Sequence, residues 1–179
     1  DYVEPAFGAL VALDTARAAA VAGEGVYVES LRAAMATLDS VDARIGGDIA
    51  TSESYDALSS AVDGLIDTPP ADADSAFAAW SEVVNSAAAL ISTAADGSNL
   101  TLDPDLDSFY LMDAATTKTP MLLAAVGVMI NLEQLEADAY QEDLTVAQVR
   151  INDAVGAIGA GFAKTVGATA DGTVASQVE

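Results

Sequence analysis

The chain has 179 residues, with 28 acidic against 6 basic side chains, no histidine and no cysteine, for a formal net charge of −22. That balance disfavours nucleic acid and anionic lipid as partners, and the missing residue types remove thiolate and imidazole metal sites, cysteine nucleophiles and the usual acid–base side chain near neutral pH. With 52% hydrophobic residues and only 5 prolines the sequence reads as one folded domain over 1–179, not an enzyme and without a cofactor, its acidity that of a solvated surface such as salt-adapted proteins carry.

Helical periodicity dominates from the start. Residues 5–22 read as a first helix, with Pro5 in its first turn and Leu10, Leu13, Arg17 and Val21 along one side. Gly23 and Gly25 mark a break. In the second helix, Val28, Leu31, Met35, Leu38, Val41 and Ile45 form one apolar stripe, which Gly46 and Gly47 end. Residues 52–66 give a third helix around Tyr55, Leu58, Val62 and Leu65, closed by the proline-bearing turn DTPPADAD. A fourth spans about 73–95, with Phe77, Trp80 and Val84 as core and Gly97 placed for a left-handed C-terminal cap.

Next comes SNLTLDPDLDSFYLMD, residues 98–113. Asp103 before Pro104 is a strong helix start, and Asp105 and Asp107 then fall where the helix dipole favours negative charge. Alternating aspartates also open a calcium loop, but the glycine and glutamate such a loop needs are here Ser108 and Ala114. This fifth helix is expected to run through a kink or restart at Pro120 to about residue 139, and a sixth from Thr145, in capping-box spacing with Gln148, to about 169. The most apolar run, 121–132, is too short to span a bilayer, so membrane segments are expected only outside this chain. With no strand-like alternation, the fold class is all-α: an antiparallel up-and-down bundle of long helices, like a four-helix bundle.

Two charges fall on apolar helix sides. Asp113 shares a face with Tyr110, Thr116 and Thr117 continue a polar strip there, and Arg17 lies in register with Leu10 and Leu13. A buried charge needs a partner or a ligand. Either Arg17 and Asp113 form a structural ion pair, or they line a polar pocket for a small anion or amphoteric solute; Asp14 is a competing local partner for Arg17. The candidate ligand-facing residues are Arg17, Tyr110, Asp113 and Thr117.

The segment SNLTLDPDLDSFYLMD, with GGDIATSESYDAL (46–58), Pro120 after ATTKT, and LTVAQVR (144–150), resembles the extracytoplasmic sensory region of bacterial transmembrane receptors, especially methyl-accepting chemotaxis proteins, with relatives in sensor histidine kinases and diguanylate cyclases. The resemblance covers most of the chain. It departs near Ala16-Arg17-Ala18, where such regions tend to carry His-Arg-Gly. It implies a periplasmic or extracellular helical domain at the cell membrane, joined to the membrane only through flanking segments, homodimeric in the intact receptor. Such a domain passes binding of a small molecule or a periplasmic partner protein to a cytoplasmic output module by helix displacement. The alternative from the residues alone is a secreted acidic scaffold or protein-interaction bundle without a small ligand.

Overall fold

A computed structural model describes residues 2–98, 106–133, 135 and 137–168, and the side chains of 106, 107, 137, 138 and 168 lie outside what is described. The chain is an all-α helical bundle, with no strand among the described residues. Its helices are α1 (Val3–Val21), α2 (Val28–Ile45), α3 (Ser52–Asp67), α4 (Ala73–Gly97), α5 (Leu106–Asp113), α6 (Thr119–Leu132) and α7 (Gln141–Ala168). A π-helical turn, Ala114–Lys118, joins α5 to α6, and a 3-10 turn, Ala137–Tyr140, leads into α7.

Long-range contacts fix the direction of each pass. Tyr2 at the start of α1 meets Asp42 near the end of α2, and Arg17 near the end of α1 meets Ser81 early in α4. Gly97 at the end of α4 lies against Ile49 in the α2–α3 turn. Ser92 of α4 bonds Thr116, Tyr140 bonds Asp74, and Lys164 lies over Tyr110. The chain therefore runs down, up, down, up, down and up, and α1 begins at the same pole where α7 ends. We call it the proximal pole. Helices α1 to α4 form one antiparallel bundle, while the hairpin of α5–α6 with α7 leans on α1 and α4 from the other side.

Alanine explains how α1 and α4 serve both halves. A helix with neighbours on opposite sides must bury more than one stripe, and small residues let backbones approach closely without filling that space. Ala6, Ala9, Ala16, Ala87, Ala88, Ala94 and Ala95 are all buried. Leu10, Leu13, Leu38, Leu58, Trp80, Val84, Leu90 and Ile91 fill the core between them, and fully burying each such aliphatic side chain favours folding by about 1.5–3 kcal/mol. Trp80 is core, as its period implies. A smaller cluster of Val21, Phe77 and Leu132, with Val128, Tyr140 and Leu144 against it, closes the distal pole.

Several local expectations change. Gly97 does not adopt a left-handed cap; it belongs to α4, and a Cβ there would overlap the Ile49 carbonyl, so glycine is required by close approach. The left-handed residues among those described are Gly23, at φ 71° in the α1–α2 break, and Ala50, at φ 59° in the α2–α3 turn. Thr145 is not a cap: α7 starts at Gln141, and the Thr145 hydroxyl donates back to the Gln141 carbonyl. Pro120 stands in the first turn of α6, where the expected restart falls, and helical structure is continuous across it. The π turn before it re-spaces the ladder, and Ser92 Oγ donates at 3.3 Å to the Thr116 carbonyl, which α-helical spacing would assign to the N–H that Pro120 lacks. Helical structure thus runs over Ser108–Leu132, 25 residues containing an 18-residue window of mean hydropathy 1.2, long and apolar enough by those measures to cross a membrane, although buried core helices meet the same criterion. The proposed helix start at Asp103-Pro104 and the side chains of Asp105 and Asp107 lie outside the described residues.

Candidate functional site

Arg17 is fully buried on α1, and three groups converge on it. Nη2 pairs with Asp14 Oδ1 one turn back and also faces the Ala124 carbonyl of α6 at 3.4 Å, while Nη1 donates to Ser81 Oγ of α4 at 3.2 Å. The guanidinium therefore ties three helices together. Helix α6 can come this close because position 127 is glycine: a Cβ there would overlap both Asp14 Oδ1 and Arg17 Nη2. One turn on, buried Asn131 donates through Nδ2 to the Gly127 carbonyl.

Burial drives the Arg17 pKa down from its ordinary value, and Asp14 opposes that shift; burial drives Asp14 up, and Arg17 opposes it. In both groups desolvation is the larger effect, as expected for an ion pair taken out of water. Arg17 Nε and Asn131 Oδ1 are buried without a hydrogen-bond partner among the described residues.

The other three candidates do not join Arg17. Asp113 lies 3.7 Å from Lys118 Nζ, with both side chains about a third exposed. Tyr110 packs edge-on against Phe109, with ring centroids 5.4 Å apart, and carries the Lys164 ammonium 4.7 Å above its ring. Thr117 sits half-buried in the π turn. All three belong to the proximal half of the second hairpin. Arg17 meets that hairpin at Ala124, eleven residues past Asp113 and so roughly 16 Å farther along the helix. The Arg17–Asp113 pair is therefore replaced by Arg17–Asp14, the competing partner that a three-residue helical offset always keeps within reach.

What periodicity did not reveal is a cleft where α7 stands away from α4, floored by Ala125 and Val128 of α6, with a volume of about 680 Å³. Its distal end holds the Phe77–Tyr140 edge-to-face pair, centroids 5.7 Å apart, with Asp143 and with Asp74, which accepts from the Tyr140 hydroxyl at 2.7 Å. Ser81 and Glu82 line its middle, and Asn85 and Arg150 close the other end. A second chamber of about 420 Å³ continues toward Ser92 and Met121 and shares Asn85 and Arg150 with the first. Because Ser81 both lines the cleft and accepts from Arg17, the cleft wall is joined to the buried cluster by one hydrogen bond. Sequence spacing could have placed Ser81, Glu82 and Asn85 on one side of α4, but not the separation of α4 from α7.

Among the described residues no group of three acidic side chains is arranged to hold a metal ion. Comparison with protein-family models, with curated proteins and with solved structures finds no match to this chain.

Proposed function

We propose that this chain is the signal-sensing, extracytoplasmic part of a transmembrane chemotaxis-type receptor, in which binding of a small molecule or a periplasmic partner protein shifts helices and so alters a cytoplasmic output module. One observation carries the reading: among the described residues, six antiparallel passes bring the start of α1 and the end of α7 to the same pole, as a domain held between two spans of one membrane requires. The cleft adds a place for a ligand between the two halves of the bundle, where small differential contacts bias two packings. In the intact receptor we propose a homodimer, with the membrane contacted only by segments flanking this chain.

The test is the encoding gene. The reading requires an apolar run of about 20 residues on each side of this segment, with a signalling module beyond the second. Absence of both runs overturns it.

A second reading, a protein-interaction bundle, is favoured by one feature. Val11 of α1 and Leu123, Val126 and Ile130 of α6 are exposed, and Val11 and Leu123 line a common small pocket of about 100 Å³. Gel filtration of the chain with and without Ile130→Glu tests that surface: self-association lost in the variant supports it, and a monomer in both forms counts against it.

A further inference from the structure

We infer that the cleft between α4, α6 and α7 binds a short, uncapped peptide, its amino terminus at Asp74 and Asp143 and its carboxylate at Arg150. The inference deepens the sensory reading by naming its ligand class, and it rests on that reading only for what binding signals.

The cleft has two chemically opposite ends. At the distal end, two carboxylates flank an aromatic pair whose faces attract cations, an arrangement suited to an ammonium group. At the other end stands Arg150, which has no carboxylate partner among the described residues even though the chain carries 28 acidic residues. Its planar fork suits a carboxylate. A simple anion would meet Asp74, Glu82 and Asp143 in the same cleft, and a simple cation would meet Arg150. A dipolar molecule satisfies both ends.

Length sets how far apart its charges must be. Asp143 and Arg150 are seven residues apart on α7, or roughly 10 Å, and Asp74 and Asn85, the latter at the Arg150 end, are eleven apart on α4, or roughly 16 Å. An extended chain of four residues reaches about 13 Å, and the acidic and arginine side chains close the difference. A single amino acid is too short. Between the ends, Ser81 and Glu82 offer hydrogen-bonding groups to backbone amides, while Ala78, Ala125 and Ala147 leave room for small side chains. These mid-cleft groups favour a peptide over an aliphatic amino acid of equal length, whose methylenes would leave them unpaired.

Isothermal titration of the full chain with tetraalanine, N-acetyl-tetraalanine and tetraalanine amide tests this at about 0.15 M salt, the ionic strength at which surface attraction is largely screened. Saturable binding of tetraalanine is expected, weakened about tenfold or more by either cap. In Arg150→Gln the free acid and the amide should bind alike, while acetylation still weakens binding. Arg150 is exposed, so the substitution leaves the core intact, and an unchanged far-ultraviolet spectrum checks it. No saturable binding of tetraalanine at millimolar concentration, or equal binding of all three forms, overturns the inference. Neither result bears on the flanking membrane spans, which stand or fall on the gene alone.

Discussion

Gly127 of α6 lies so close to Arg17 of α1 that a methyl group in place of its hydrogen would overlap Nη2. Arg17 cannot swing aside, because the same guanidinium is fully buried and bonded to Ser81 and Ala124. Gly127→Ala should therefore destabilise the protein by about 1–3 kcal/mol, even though alanine is the better helix former. A lower urea midpoint with unchanged slope is the expected result. A higher midpoint would mean that the pair relocates freely.

The Arg17–Asp14 pair should prove better removed whole than halved. Asp14→Ala leaves a buried guanidinium without its carboxylate and is expected to cost about 2 kcal/mol, below the range for fully buried pairs because the Asp14 side chain is 33% exposed. Adding Arg17→Met should recover much of that loss, since methionine packs as a flexible apolar chain of similar length. A double-mutant cycle in urea measures both, and additive losses would contradict the account.

Alkaline pH should unfold the protein through its buried phenols. Burial raises the Tyr2 pKa well above its ordinary value of 10.0, and Tyr55 is pushed up to about 12, again chiefly by burial. The unfolded chain releases these protons near pH 10 while the folded chain still holds them, so above that point the unfolded state binds fewer protons. Stability should be unaffected by these groups below pH 10 and fall as pH rises toward 12. Thermal melts of the protein and of Tyr55→Phe at pH 8 to 11 check this, the variant showing the shallower decline.

Ala50 holds φ at 59°, a left-handed conformation that costs an L-residue about 1 kcal/mol. Ala50→Gly should raise stability by about 0.5 kcal/mol, the relief being partly offset by the greater freedom of glycine in the unfolded chain. Calorimetry that found a lower melting temperature would show that the Ala50 methyl group makes a contact worth more than the strain.

Most of the fold was legible from spacing. The stripe from Val28 to Ile45 gave α2 its observed limits, and Gly23 fell where the chain does turn left-handed. Trp80 is in the core where its register with Phe77 and Val84 put it. Features decided between helices were less visible. Spacing along one helix cannot say that α6 meets Arg17 at Ala124 and leaves Asp113 a long way up the same helix, nor that Gly97 is needed by the Ile49 carbonyl and not by its own backbone angle. Thr145 has the residues of a capping box, yet the 3-10 turn ahead of it lets α7 begin one turn sooner. Spacing along α7 does not single out Arg150, which matters only because α4, α6 and α7 together surround the space beside it.

Asp42 is 5% exposed, and its Oδ1 accepts both the Tyr2 hydroxyl and the Thr51 hydroxyl, each at 2.7 Å. Segments forty residues apart thus share one hidden carboxylate, and the first residues of α1 are anchored to the corner between α2 and α3. A pull on the chain ahead of Val3 therefore bears directly on that corner, and trimming the chain back to Val3 would leave the hidden carboxylate with the Thr51 hydroxyl alone.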